Sequence, residues 1–109
     1  MSVPDRGDII ILDFDPQAGH EQMKRRPALV LSPAAFNDVF GLAFVAPVTT
    51  KPQGHAFEVP LPEGCGASGV VMVQQVKSFD WRARRAKKTG TAPAQVISAA
   101  IEIIHDIID

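Results

Sequence analysis

The sequence predicts an α+β fold of mainly β structure, in which a small curved antiparallel sheet or barrel precedes one C-terminal amphipathic helix. Three observations predict it. Short apolar runs recur along most of the chain, proline- and glycine-containing turns separate them, and the apolar spacing becomes helical near the C-terminus. The 109 residues suffice for a single domain, which we expect to span 1–109.

Five segments are predicted to be strands, because each is apolar and bounded by turn signals. They are residues 8–14, 27–32, 41–49, 56–61 and 69–79. Pro47 lies inside the third segment. Proline cannot donate a ladder hydrogen bond, so this strand is expected to be an edge strand, to be bulged or to end early. Residues 33–38 are expected to hold a single helical turn.

The last part of the chain is predicted to be a helix. Pro93 suits the first helical turn, where its missing N–H costs nothing, and the apolar residues beyond it recur at helical spacing. These residues are Val96, Ile97, Ala100, Ile101, Ile104, Ile107 and Ile108. We expect this stripe to pack on the sheet. Part of it is available for a dimer, since a short chain gains stability by pairing.

The net charge and the distribution of charged residues indicate which kind of binding partner the chain suits. The net charge of −1 argues against a general nucleic-acid binder, yet residues 77–88 carry six bases and one acid. That segment favours a polyanionic partner, with a solvated charged surface as the alternative.

No apolar run approaches the length of a membrane span, and no secretory leader pattern is visible. The single cysteine, Cys65, excludes an internal disulfide and fits a reducing cytoplasm, where we expect the protein.

The segment between the first two predicted strands is the strongest candidate for a functional loop. Residues 19–27 read Gly-His-Glu-Gln-Met-Lys-Arg-Arg-Pro, which is more polar than a tight turn requires. An arginine at the start of a strand is well placed to bind a phosphate, because its guanidinium offers a fixed fork of donors. Three scattered histidines and one cysteine show no metal-ligand spacing, so we expect chemistry without a metal or other cofactor.

Five groups of motifs, in order along nearly the whole chain, resemble the MazF/PemK family of toxin ribonucleases of type II toxin–antitoxin systems. They are Gly-Asp-Ile at 7–9 with Asp-Phe-Asp-Pro at 13–16, Gly-His-Glu-Gln at 19–22 with Arg-Pro-Ala-Leu-Val-Leu-Ser-Pro at 26–33, Val-Ala-Pro-Val-Thr-Thr at 45–50, Gly-Val-Val at 69–71 with Gln-Val-Lys-Ser at 75–78, and Trp-Arg-Ala-Arg at 81–84. The last group resembles the MazF branch, whereas Gly-His-Glu-Gln is common in the PemK branch.

The resemblance implies an SH3-like barrel with a terminal helix, a homodimer, and an endoribonuclease that cleaves single-stranded RNA at a short sequence. It also implies a cognate antitoxin whose acidic, disordered tail blocks the RNA groove. RNA carries its own nucleophile, the 2′-OH, so the expected products are a 2′,3′-cyclic phosphate and a 5′-OH. Two alternatives stay open: a non-catalytic binding toxin of the gyrase-poisoning kind on the same fold, and an enzyme that cleaves another phosphodiester.

The matching positions suggest a residue for each step of RNA cleavage. Arg26 is the first candidate to stabilise the phosphorane oxygens, because it is always charged and binds them bidentately. Thr50, at the end of the third strand, is a candidate to hold the scissile phosphate. His20 and Glu21 are candidates for proton transfer, with acid and base not assigned between them. The alternative for each residue is an ordinary structural or surface role.

Six further residues are predicted to bind RNA without taking part in the chemistry. They are Gln75, Lys77, Lys51, Thr49, Arg25 and Arg84. Backbone contacts of this kind position RNA without reading its sequence. If about four phosphates are neutralised, binding should fall with salt at a log–log slope of about −3.

The remaining aromatic and polar candidates receive structural predictions. Trp81 is expected to be packed rather than stacked on a base, and four phenylalanines are expected in the core. These are Phe14, Phe36, Phe44 and Phe57. PemK-like enzymes have an acid at the position of Gln74 and an arginine at that of Met72, so the MazF-like scheme of proton transfer fits this chain better.

Overall fold

The structure is a computed structural model that describes residues 2–14 and 25–109. In chain order the elements are β1 (Asp8–Asp13), β2 (Arg25–Val30), α1 (Ala34–Phe40), β3 (Leu42–Thr49), β4 (Glu58–Pro60), β5 (Val70–Met72), a 3₁₀ turn (Val73–Gln75), β6 (Lys77–Asp80), β7 (Lys87–Thr91) and α2 (Ala94–Ile108). The candidate residues His20 and Glu21 lie outside the described residues.

The seven described strands form one antiparallel, curved sheet. Its order is β4-β5-β3-β2-β1-β7, and β6 pairs with β3 beside this path. Within the described ranges β4 and β7 do not pair, so the ladder stays open. The connection after β4 still reaches β7, because a Cβ added to Gly66 would lie 2.7 Å from the Cα of Gly90. The predicted fold class, mainly β with a C-terminal helix, is confirmed.

Two apolar clusters lie on opposite faces of β1, β2 and β3. Because side chains alternate along a strand, Ile9 and Leu29 face α2. Val30 and Val45 face a second cluster, built around the buried Trp81. We call these the helix face and the Trp face. This division decides which side chains can meet at each end of the sheet.

β3 pairs on both sides and continues to Thr49, so the expectation of an edge strand or an early end at Pro47 is wrong, and the described register of β3 with β2 shows no bulge there. On one side β3 pairs with β2, and on the other with β6 up to Val45 and with β5 from Val48. The amide of Phe44 donates to the Ser32 hydroxyl at the end of β2, so it faces that strand. Alternation then directs the Pro47 nitrogen to the opposite side, into the interval between β6 and β5. Proline is tolerated there because no ladder bond is required.

The predicted strand 69–79 is divided into β5, the 3₁₀ turn and β6. The turn carries the chain from the last residues of β3 to its first ones, since β5 pairs with Val48 and Thr49 and β6 with residues 42–45. β7 was not predicted, because its sequence is polar and most of its residues are exposed. Its pairing with β1 comes from backbone groups, which leave no apolar pattern in the sequence.

The two helices follow the predicted positions. The predicted turn at 33–38 is the helix α1, which ends at Gly41 with φ 68°. In α2, Val96 and Ala100 are buried on the helix face, whereas the side chains of Ile107 and Ile108 are 50% and 77% exposed. The last turn of the stripe therefore extends beyond the chain's own core. No described helix is long and apolar enough to cross a membrane.

Packing confirms one aromatic prediction and corrects two others. Trp81 is fully buried, and its Nε1 donates to the carbonyl of Asn37 at 3.0 Å. Phe44 and Phe57 were expected in the core, but 43% and 41% of their surfaces are exposed. In β3 the alternation of side chains directs Phe44 away from the Trp face, beside the ring of Phe36 at 5.7 Å.

Candidate phosphate site

One end of the sheet brings together three strand termini that carry predicted site residues. β1 ends at Asp13, β2 begins at Arg25 and β3 ends at Thr49. Because neighbouring strands are antiparallel, the end of β1, the start of β2 and the end of β3 adjoin. We call this the phosphate end of the sheet. The candidate site therefore combines residues that are far apart in sequence.

Arg26 and Thr49 lie on the same face of the sheet at the phosphate end. Arg26 aligns with Leu12 of β1, and two residues further along β2 Ala28 aligns with Pro47 of β3. The described pairing of β2 with β3 stops there, two residues short of Arg26 and Thr49, and the alternation of side chains along each strand places both residues on the Trp face. The sequence analysis named Arg26 and Thr50 as candidate phosphate ligands, and both residues lie at this end of the sheet.

Thr50 is exposed and follows directly after β3. The backbone here is held from two sides. The hydroxyl of Thr49 accepts a hydrogen bond from the amide of Lys51 at 3.1 Å. A Cβ at Gly69, whose φ is 118°, would collide with the carbonyl of Thr49 and lie 3.1 Å from the Cα of Thr50. Only glycine admits this approach, so Gly69 helps to set where the two threonines lie.

Two guanidinium groups flank a pair of phenylalanine rings on the Trp face. The rings of Phe14 and Phe79 meet edge to face at 4.9 Å. The Cζ of Arg84 lies 4.4 Å from the centroid of Phe79, and that of Arg26 lies 6.0 Å from the centroid of Phe14. The second distance is at the outer limit of a cation–π contact. The exposed Arg26 side chain therefore extends past Phe14 toward solvent.

Among the described residues at this end, Asp13 forms the most densely hydrogen-bonded ionic group. Its side chain is 4% exposed. Oδ1 accepts from Arg25 Nη1 at 2.8 Å and from Arg85 Nη2 at 3.3 Å, and Oδ2 accepts from Arg85 Nε at 2.9 Å. The hydrogen bonds from Arg85 and then from Arg25 lower the pKa of Asp13 against the opposing effect of burial. The same carboxylate raises the pKa of Arg85.

Arg25 and Arg84, both predicted to bind RNA, donate hydrogen bonds to protein groups. Arg25 Nη2 donates to the carbonyl of Arg85 at 2.7 Å. Arg84 Nη1 donates to the carbonyls of Asp13 and Phe14 at 3.1 and 3.0 Å. Both guanidinium groups thus hold the end of β1 and the turn before β7.

Several bases of the segment 77–88 contact groups of the protein itself, so fewer of them are available to a ligand than the net charge of the segment suggests. Arg85 is paired with Asp13, Lys88 Nζ lies 3.2 Å from Asp8 Oδ1, and the Cζ of Arg82 lies 4.6 Å over the ring of Trp81. Carboxylates from β1, distant in sequence, therefore neutralise part of this segment.

The other candidate RNA-binding residues, Lys51, Gln75 and Lys77, lie in exposed positions. Lys77, the first residue of β6, aligns with Val45 and therefore belongs to the Trp face with Arg26. Gln75 is exposed in the 3₁₀ turn, and Lys51 is exposed just beyond Thr50. Lys77 is thus on the same face as Arg26, whereas Lys51 and Gln75 are carried by connections.

Glu58 organises the connection that follows Lys51. Its carboxylate accepts from the amides of Gln53 at 2.7 Å and Gly54 at 3.0 Å, and these bonds lower the pKa of Glu58. Asp13 and Glu58 are the two supporting carboxylates that the sequence analysis did not single out. The sequence does indicate an ion pair for Asp13, because an acidic residue ends one strand and two arginines begin the next.

The fold and this site define a small protein whose exposed cationic face is suited to a phosphate-bearing ligand. Residues 5–108 match the family described as "PemK-like, MazF-like toxin of type II toxin-antitoxin system". The chain belongs to this family, which confirms the resemblance seen in its motifs.

Curated relatives match over nearly the full length. The chain is 49% identical over 105 residues to "Endoribonuclease toxin MazF" of Escherichia coli (strain K12), covering 94% of each chain. It is 36% identical over 109 residues to "Endoribonuclease PemK" of Escherichia coli, covering 95% of this chain and 81% of PemK.

A solved structure agrees equally closely. The crystal structure of MazE–MazF (Form-II) from Deinococcus radiodurans superposes with a TM-score of 0.92 at 49% identity, covering 99% of this chain and 97% of that chain.

Proposed function

We propose that this protein is the toxin of a type II toxin–antitoxin system and that it acts as a metal-independent endoribonuclease on single-stranded RNA. One observation carries the proposal: Arg26, near the start of β2, and Thr49, the last residue of β3, lie at the same end and on the same face of the sheet, in a chain of this family. Relatives that are 36–49% identical are named endoribonucleases MazF, ChpB and PemK. The cytoplasm, where mRNA is found, is the proposed site of action.

The reaction that we propose uses the sugar of the RNA as the nucleophile. The 2′-OH attacks the adjacent phosphorus, the bond to the 5′-oxygen breaks, and the products are a 2′,3′-cyclic phosphate and a 5′-OH. Arg26 stabilises the charge on the phosphorane, and Thr50 with Thr49 holds the phosphate before attack. Two proton transfers are needed, one from the 2′-OH and one to the leaving oxygen, and we propose that Glu21 and His20 share them, with acid and base not assigned between the two.

The RNA strand is proposed to run over the exposed side chains beside this site. Lys51, Gln75 and Lys77 contact its backbone, and their exposed positions are compatible with that role. Arg25 and Arg84, predicted from the sequence as further contacts, take part through the segments that they hold. Contacts to phosphates position the strand, so the sequence preference must come from base contacts in addition.

A cognate antitoxin with an acidic, disordered tail is the proposed protein partner. MazE accompanies MazF in solved complexes from Deinococcus radiodurans. We also propose a homodimer, because apolar side chains remain exposed where a second copy can cover them. They line a groove of about 450 Å³ between α1 and α2 that includes Phe36, Phe44, Ile101, Ile104 and Ile108. Light scattering at micromolar concentration tests the dimer, and a monomeric mass contradicts it.

Cleavage of a long RNA in the presence of a chelator tests the proposed activity. We expect a small set of cut sites, 5′-OH ends, and no cleavage where 2′-deoxyribose replaces ribose at the cut. Intact RNA across many sequence contexts would favour a binding toxin. Cleavage of the deoxy substrate would favour an enzyme that acts on another phosphodiester, since the 2′-OH would then be unnecessary.

A further inference from the structure

We call residues 25–27, the first residues of β2, the head of β2. Their described ladder pairing is with β1. Residues 25–29 of β2 pair with β1, whereas the described pairing of β2 with β3 begins at Ala28. The first residues of β2, including Arg26, therefore have a ladder partner on one side. An interaction between β1 and these residues therefore strongly influences the position of the Arg26 backbone, and with it the direction in which the Arg26 side chain extends.

Asp13 provides that interaction from the adjacent strand. It aligns with Arg25 across the ladder, and its carboxylate holds the guanidinium of Arg25 at 2.8 Å. Arg25 and Arg26 are consecutive on a strand, so their side chains point to opposite faces. Holding Arg25 on one face consequently directs Arg26 to the other, which is the Trp face.

The same carboxylate also holds the turn that precedes β7. Arg85 has φ 55°, the left-handed region that non-glycine residues rarely adopt. Its Nε and Nη2 both donate to Asp13, and the carbonyl of Arg85 accepts from Arg25 Nη2. Asp13 thus neutralises two guanidinium groups that would otherwise repel each other at the base of the site.

We propose that Asp13 is a positioning residue for the phosphate site: by binding Arg25 and Arg85 it sets the rotation of the head of β2 and so places the Arg26 guanidinium. This inference rests on the proposed function. Asp13 does not touch the substrate. It acts through Arg25, and its loss displaces the group that stabilises the phosphorane.

Asp8 supplies a matched control on the same strand. It is also a carboxylate with little exposure, it is paired with a base of β7 through Lys88, and it lies five residues from Asp13, about 17 Å along a strand. We expect Asp13→Asn to lower kcat by about 10- to 100-fold, because small displacements of a positioned group have effects of that size. KM should stay within about twofold, and Asp8→Asn should leave kcat unchanged.

Thermal unfolding of both variants separates stability from positioning. If Asp13→Asn lowers kcat no more than Asp8→Asn does, the proposal is overturned. Should Asp13→Asn fail to fold, Arg25→Ala takes its place. Positioning predicts that Arg25→Ala lowers kcat with an unchanged salt slope for RNA binding, whereas loss of a direct phosphate contact reduces the slope by about 1.

A double-mutant cycle tests the route from Asp13 to Arg26. If Asp13 acts through Arg25, Asp13→Asn should change kcat little in the Arg25→Ala background, so the two effects are not multiplicative. Multiplicative effects would show that the two residues act independently, and that outcome overturns the proposed route.

NMR of the arginine Nε–Hε groups distinguishes failure of this inference from failure of the proposed function. The signals are assigned with Arg25→Lys, Arg26→Lys and Arg85→Lys variants of the full chain. In Asp13→Asn we expect the signal of Arg85, whose Nε donates to Asp13, to lose its protection from exchange, and the Arg25 and Arg26 signals to shift, whether or not RNA is cleaved. An unchanged Arg26 signal contradicts the inference even in an active enzyme, and absence of cleavage by the wild type contradicts only the proposed function.

Discussion

β1 carries a nearly buried aspartate at each end, and the two ends are built differently. Asp8 accepts from the amide of Asp5 at 2.9 Å and meets one flexible lysine, Lys88, whose side chain is 55% exposed. Asp13 accepts three hydrogen bonds from two guanidinium groups. A lysine ammonium is a mobile point charge, whereas arginine presents a planar fork that fixes direction as well as distance. The Asp13 end is therefore the one suited to orient other groups.

Substitution of Arg26 should give the largest difference in kcat between variants at the Asp13 end and variants at the Asp8 end of β1. We expect Arg26→Ala to lower kcat by about 10²–10³-fold, because it removes the charge that stabilises the phosphorane, while the fold is retained. Single-turnover cleavage of one RNA substrate measures it. Lys88→Ala removes a base at the Asp8 end and should leave kcat unchanged; equal losses from both variants would contradict a site at the phosphate end.

Substitution of Gly69 should show how tightly the phosphate end is packed. Gly69→Ala forces a collision with Thr49 in addition to an unfavourable φ, so it should reduce kcat as well as stability. Gly54→Ala is the control, since Gly54 has φ 83° with no atom within 4 Å of the added Cβ. We expect Gly69→Ala to cost about 1–3 kcal/mol more than Gly54→Ala in urea unfolding. Equal costs would mean that the backbone conformation alone requires glycine at 69.

Removal of Lys77 should alter binding rather than catalysis. As an exposed residue on the Trp face, it is expected to contact a phosphate, so Lys77→Ala should reduce the log–log salt slope of RNA binding by about 1, with little change in kcat. Fluorescence anisotropy with an uncleavable deoxy-substituted RNA measures the slope. The Asp8-end variant Lys88→Ala is the control, and an equal change there would argue against a groove confined to the phosphate end.

The acid dependence of stability should give the smallest effect. The folded-state pKa of Asp13 is lowered, so its contribution to stability is present above the unfolded value of about 3.9 and is lost as the pH falls from there through the folded pKa. The difference in unfolding free energy between wild type and Asp13→Asn should therefore be constant near neutral pH and shrink below about pH 4. A difference that grows in acid would contradict the ionic basis of the cluster.

The sequence could indicate which candidate site residues lie at strand ends, because apolar runs show where strands begin and end. Arg26 was predicted as the phosphate ligand from its place before an apolar strand, and it is the second residue of β2, at the end of the sheet where β3 also ends. The ion pair of Asp13 with Arg85 was not predicted, because the two residues are 72 apart in sequence, and Arg25 was predicted to contact RNA rather than Asp13. Nothing local in the sequence indicates that the basic segment 77–88 would pack its arginines against β1.

The sequence by itself determined the local elements: the apolar runs that became strands, the helical period of α2, and the motifs that identify the family. These depend on neighbours within a few residues, where side-chain spacing reports directly on backbone geometry. The tertiary structure alone decided that β3 is central despite Pro47, that the polar segment Lys87–Thr91 is a strand, and that Phe44 stays exposed. Those outcomes depend on which distant backbone groups pair, and partner and register are set only when the whole chain packs.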